Sequence, residues 1–185
     1  MRRLLILVLA LTVIGVACSS ESEEGSGVTE DSDAPGTTVP IPEDAVVIPD
    51  LQISVVEFGE DGFLDVVNIG AEPADVSPMY LSQFPTVLAL SDVIEEPIAV
   101  GASARIPASA MGGLSADGGE IALLTSPDFE DPDSMVGYVQ WGTGGVHGPT
   151  ATAAGIWPEG ATVIPDPQFN SIELFGDPAD PQNWS

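Results

Sequence analysis

From about residue 48 onward, apolar positions come in short runs broken by Gly, Pro and Asp. The runs are rich in Val, Ile, Leu and aromatic residues, and they cover 51–58, 63–69, 79–83, 86–90, 102–106, 120–125, 134–141 and 171–175. Runs of this length and composition, separated by turn residues, predict strands rather than helices. Where alternation is clean it assigns faces: in 136–141, Val139 and Trp141 share one side of the pleat, Tyr138 and Gln140 the other. Glu60-Asp61-Gly62 predicts a hairpin turn, with Gly62 free to take positive φ. Gly118-Gly119 marks the start of the sixth run, and Pro97, Pro107 and Pro127 stand at run ends, where a missing ladder donor is tolerated. One helical turn is predicted over 150–156 from the helix-favouring Ala-Thr-Ala-Ala, stopped by Trp157-Pro158. Eight short strands and a single helical turn predict an all-β chain folded as a β-sandwich.

The first 47 residues follow a different pattern. Met1-Arg2-Arg3 is basic, and 4–16 is apolar except for Thr12 and Gly15. A basic start, an apolar stretch and small residues at its end form an export signal. The stretch is short of the roughly 20 residues that cross a bilayer as a helix. Gly15-Val16-Ala17-Cys18 resembles a bacterial lipobox, with Gly15 standing where leucine is usual. The resemblance implies removal of 1–17 and lipid attachment at Cys18, the only cysteine in the chain. Two or three acyl chains on one residue suffice for stable attachment, since each buried methylene contributes roughly 0.8 kcal/mol. From Cys18 to residue 47 the chain is dominated by Ser, Glu, Gly, Pro and Asp. That composition buries too little apolar surface to repay ordering. The stretch is expected to be a disordered acidic tether, reaching roughly 25 to 30 Å on average.

Charge removes several functions. The chain has 29 acidic residues, three arginines and no lysine. Once Arg2 and Arg3 leave with the signal, one arginine, Arg105, faces 29 carboxyl groups, a formal charge of −28. Phosphate neutralisation needs Lys and Arg, so nucleic acid is not an expected partner. The same charge opposes an electrostatic hold on anionic lipid. Solvation in a salty medium and divalent-cation binding are the two readings of the acidity, and the first needs no further feature. Cys18 is the only thiol, so 48–185 can form neither a disulfide nor a thiolate metal site and depends on its apolar core.

The order of residues from about 52 to 142 resembles the lamin tail domain family, bacterial extracellular type. The segments that carry it are Phe63-Leu64-Asp65-Val66-Val67-Asn68-Ile69-Gly70, Ala74-Asp75-Val76-Ser77-Pro78, Ile98-Ala99-Val100-Gly101-Ala102, Gly119-Glu120-Ile121-Ala122-Leu123-Leu124 and Val136-Gly137-Tyr138-Val139-Gln140-Trp141-Gly142. Asp65 replaces the family's Glu, and the tryptophan that follows the second segment in the family is missing. The resemblance implies an immunoglobulin-like sandwich with binding or adaptor roles, and supplies no catalytic residues. Residues 143–185 extend beyond it, with 171–175 able to add an edge strand and Trp184 expected to dock on the domain.

Candidate chemistry is sparse. His147 is the only histidine, in the glycine-rich 142–149. A histidine base needs a nucleophile and an orienting acid, which spacing alone does not reveal, and there is no Gly-x-Ser-x-Gly elbow. The loop lacks Gly-Lys-Ser/Thr and the Gly-x-Gly-x-x-Gly spacing, so it is not a phosphate loop. One histidine and no domain cysteine are too few ligands for a blue-copper or zinc site. Asp128, Glu130, Asp131 and Asp133 crowd one loop, and Asp166, Asp177 and Asp180 another, without the spacing of a calcium-binding loop. Solvated acidic turns are the simpler reading. Trp141, Trp157 and Trp184 are expected to serve the core and docking contacts rather than an exposed platform. The sequence therefore predicts an exported protein, lipid-anchored to a bacterial envelope, displaying a non-catalytic domain for a protein or glycan partner, with no cofactor. A passive structural or assembly role, and a hydrolase using His147, are the alternatives.

Overall fold

The computed structural model describes residues 47–185. The predicted signal over 1–17, Cys18 and all but the last residue of the predicted tether lie outside the described residues. The described chain is an all-β sandwich. Its strands are β1 (Leu51–Glu57), β2 (Phe63–Asn68), β3 (Tyr80–Gln83), β4 (Thr86–Ala89), β5 (Ser103–Pro107), β6 (Gly118–Leu124), β7 (Met135–Gly142) and β8 (Ser171–Glu173), with one short helix, α1 (Gly148–Ala153). The first sheet runs β5-β2-β1-β8 and the second β4-β3-β6-β7, all pairs antiparallel. Placing β3, β6 and β7 opposite β5, β2 and β1 is the division of strands found in immunoglobulin-like sandwiches.

Alternation explains which residues fill the space between the sheets. Leu64 and Val66 on β2, Ile106 on β5 and Ile172 on β8 point inward from the first sheet; Leu81, Ile121, Leu123, Val139 and Trp141 meet them from the second. In β1 the period breaks: Ile53 and Val56 are both buried although three positions apart. A bulge between Ile53 and Val55 resolves this, with Ser54 as the extra residue and its Oγ donating to Asp65 O at 3.1 Å. Trp141 is wholly buried; its ring lies 5.3 Å from that of Phe58, and its Nε1 donates to Ser115 O at 2.7 Å.

Most predicted elements are present with ends displaced by one or two residues, but three local readings change. The turn after β1 spans Gly59 to Gly62, and the residue with positive φ is Gly59, at 108°. Gly62 is required for space, because a Cβ there would lie 2.2 Å from Glu57 O. Gly118 and Gly119 belong to β6 rather than preceding it; a Cβ on Gly119 would stand 2.7 Å from the Trp141 ring. The helix begins earlier than predicted, with Pro149 in its first turn. It is ended by Gly155 at φ 75°, not by Trp157-Pro158. Gly155 N–H bonds to Thr152 O and Ile156 N–H to Ala151 O, the paired closure of a Schellman cap.

The acidic loops acquire a structural explanation. Asp75, Asp128, Asp131, Asp166, Asp177 and Asp180 each accept, through Oδ1, the backbone N–H two residues on, at 2.8–3.1 Å. This is the turn that a short carboxylate side chain builds for itself. In four of the six the next residue is Pro, which fixes φ in the turn.

The C-terminal residues close the free edge of β8. Glu173 and Ser185 exchange backbone hydrogen bonds at 2.8 and 3.1 Å, and Phe175 N–H donates to Asn183 O at 2.8 Å. Between them Trp184 is buried, as expected, with Nε1 donating to Pro178 O at 3.3 Å. Replacing Trp184 with Ala is expected to lower unfolding free energy by about 3 kcal/mol or more, read from urea denaturation. An unchanged midpoint would show that the terminus contributes nothing to the fold.

Candidate functional site

The second sheet has an outer face as well, and it is not left to water. On β6 the residues pointing outward are Glu120 and Ala122; on β7 they are Tyr138 and Gln140, in register as Glu120↔Gln140 and Ala122↔Tyr138. The chain after β7 folds back over them. Trp157 packs its ring against Tyr138 at 5.6 Å, and Ala151 of α1 is fully buried. This double cover is why 121–124 reads as an unbroken apolar run rather than an alternating one.

Glu120, only 2% exposed, lies in this apolar layer. A carboxyl group out of water needs donors; Oε2 receives one from β7 and one from the returning chain, while Oε1 has no hydrogen-bond partner. Tyr138 Oη is 2.7 Å from Glu120 Oε2, and His147 backbone N–H donates to the same oxygen at 2.9 Å. His147 Nδ1 stands 2.7 Å from Oε1. That approach is close but lacks hydrogen-bond alignment, so neither atom has a hydrogen-bond partner. Tyr138 Oη also lies 2.8 Å from Gln140 Oε1. Its single proton serves one acceptor at a time, and a charged carboxylate is the stronger. Gln140 is oriented by donating Nε2 to Ala161 O, while its Oε1 accepts from Gly145 N–H at 3.3 Å. The glycines of 142–149 now have a role: a Cβ on Gly145 would fall 2.0 Å from Glu120 Oε2, so only glycine lets the backbone lie on the carboxyl group.

His147 is 4% exposed, immediately before α1. Phe129 of the β6–β7 loop lies 4.5 Å from its ring and Phe84 of the β3–β4 turn 5.7 Å. Its Nε2 is enclosed and has no partner. Ser82 Oγ, from β3 on the same face as Ala122, is also buried without a partner. A histidine held by a carboxyl group is the orienting half of a hydrolytic triad. Here that half sits behind two phenylalanines. Beside the cluster is an open groove of about 540 Å³, lined by Gln140, Gly145, Gly148, Pro149, Thr152 and Glu159.

Sequence reasoning singled out His147 and missed its partner Glu120. The available signal was a glutamate between Gly118-Gly119 and Ile121-Ala122-Leu123-Leu124, a carboxyl group inside a buried run. The acidic loop at Asp128, Glu130, Asp131 and Asp133 forms turns: Asp131 caps the Pro132–Ser134 turn, and Ser134 Oγ donates to Asp128 O and Asp131 O. Among the described residues no three His, Cys, Asp or Glu side chains converge as a metal site. No protein-family model, curated protein or solved structure matches the chain.

Burial, then the hydrogen bond to Glu120 and its charge, raises the Tyr138 hydroxyl far above its ordinary pKa of 10.0. The unfolded chain therefore loses this proton above pH 10 while the folded chain keeps it. The stabilising contribution is intact below pH 10 and falls as pH rises beyond it, by about 1.4 kcal/mol per pH unit. Tyr138→Phe is expected to lower stability near neutrality by about 1–3 kcal/mol and to flatten the alkaline decline by that slope. Parallel stability–pH curves for the two proteins above pH 10 would contradict this account of the cluster.

Proposed function

We propose that the chain is an exported, lipid-anchored envelope protein whose sandwich serves as a non-catalytic binding domain, related in kind to the lamin tail domain. The observation that carries the non-catalytic reading is the commitment of His147. Its Nδ1 side faces Glu120, its backbone N–H is spent on the same carboxyl group, and its Nε2 is enclosed. A general base must reach a substrate proton within about 3 Å or through one water. In this reading His147 fastens 143–163 to the second sheet.

Attachment is supported by the sequence alone. The basic start, the apolar 4–16 and Ala17-Cys18 are followed by a polar stretch and then by a folded domain. Among the described residues no helix is long and apolar enough to cross a membrane.

Two measurements test the halves of the proposal separately. Cys18→Ser is expected to move the protein from the membrane fraction to the soluble fraction and to abolish incorporation of labelled fatty acid. Retention of the variant in washed membranes would reject the anchor. Pull-down from the native envelope is expected to return a stoichiometric partner; none would favour a passive structural role instead.

A further inference from the structure

The two sheets are finished differently. The outer face of the second is covered by 143–163, whereas among the described residues no segment covers that of the first. Its side chains follow from the register. Arg105, Asp65, Val55 and Glu173 lie in one row across β5, β2, β1 and β8; Pro107, Phe63, Glu57 and Ser171 lie in the next.

One half of this face contains its own cation. Arg105 forks onto Asp65, Nε to Oδ1 at 2.9 Å and Nη2 to Oδ2 at 2.8 Å, while its guanidinium carbon sits 3.3 Å from the centre of the Phe63 ring. The other half repeats the acceptors without the donor. Glu57 and Glu173 project there, and a groove of about 240 Å³ is lined by Asp166, Phe169, Ser171, Glu173 and Phe175. Phe169 and Phe175 are 63% and 69% exposed. Among the described residues Arg105 is the only guanidinium or ammonium side chain, and it is already paired with Asp65.

We propose that the β1–β8 side of this open face docks an arginine- or lysine-bearing segment of a partner polypeptide. The partner's cation takes, between a carboxylate and an exposed Phe, the position that Arg105 takes between Asp65 and Phe63. Carboxylate and aromatic act together on a guanidinium because the first accepts its forked donors and the second attracts its face. The domain's charge steers such a segment to the surface in general. The phenylalanines make this place differ from any other acidic patch. The inference rests on the binding role proposed above and assigns it a surface and a partner chemistry.

The test is a nine-residue peptide of alternating Arg and Gly, titrated by fluorescence anisotropy against the full domain at physiological salt, with its citrulline counterpart as the uncharged control. Binding of the arginine peptide alone is expected. Phe169→Ala with Phe175→Ala should weaken it about tenfold, the sum of two cation–π contacts, with the melting temperature unchanged. Asp166→Asn with Glu173→Gln should weaken it as much, both side chains keeping an acceptor. Asp128→Asn with Glu130→Gln, on the β6–β7 loop of the other sheet, should have less than about a twofold effect, as expected of a screened distant charge. No binding, equal weakening by the control pair, or indifference to loss of the phenylalanines would overturn the assignment. An envelope partner whose capture ignores all these substitutions would overturn it too, while leaving the binding role standing.

Discussion

A carboxyl group buried at the centre of a sheet constrains the rest of this molecule. Glu120 stands on β6 between Gly119 and the apolar run 121–124, and on the same face Gln140 and Tyr138 of β7 and Ser82 of β3 carry the neighbouring polar atoms. Leaving such a group without donors costs several kcal/mol, comparable to the net stability of a small domain. The chain after β7 supplies what the sheet lacks. It turns back so that His147 N–H donates to Oε2 while the imidazole Nδ1 stands 2.7 Å from Oε1 without an aligned hydrogen bond, and Gly145 is glycine because the backbone lies on the carboxyl group. Once that turn is made, α1, Trp157 and Ala161 fall over the outer face, and the Trp157 Nε1–Ala161 O bond at 2.9 Å closes the layer. The layer is apolar in bulk and polar at one point. That point fixes its register, the role best attested for buried polar groups.

Among the described residues one sheet is finished on its outer face and the other is not, and charge follows the same division. Part of the acidity serves the backbone, since six aspartates build their own turns. Others stand on the open face of the first sheet beside exposed phenylalanines. A domain without a disulfide, held by its core and by these turns, has one face given to stability and one free for contact. That division suits the proposed binding role, which needs an exposed surface on a stable scaffold.

The fold was legible because burial and period agree along most strands. Val139 and Trp141 do face the other sheet while Tyr138 and Gln140 face away, as alternation implies. The readings that changed share one physical feature: each depends on a neighbour distant in sequence or on exact backbone geometry. Gly62 and Gly119 are read locally as punctuation, but are required by Glu57 O and the Trp141 ring. The bulge at Ser54 leaves no mark in Leu51–Glu57 itself, since it is defined by the pairing with β2. The site was half legible. A lone histidine attracts notice, whereas a glutamate inside a strand of apolar residues passes as surface until the second cover is known. Alternation along 171–175 already puts Glu173 and Phe175 on one face; that this face is the outer one, with Phe169 beside it, follows from the seating of β8 against β1.

The central claim is that Glu120 holds 143–163 on the second sheet. Hydrogen–deuterium exchange on Glu120→Gln tests it most directly. The account predicts that backbone amides of 145–161 exchange about tenfold faster or more, while those of β1, β2 and β5 keep their protection. Unchanged protection in 145–161, or equal acceleration through both sheets, would contradict it.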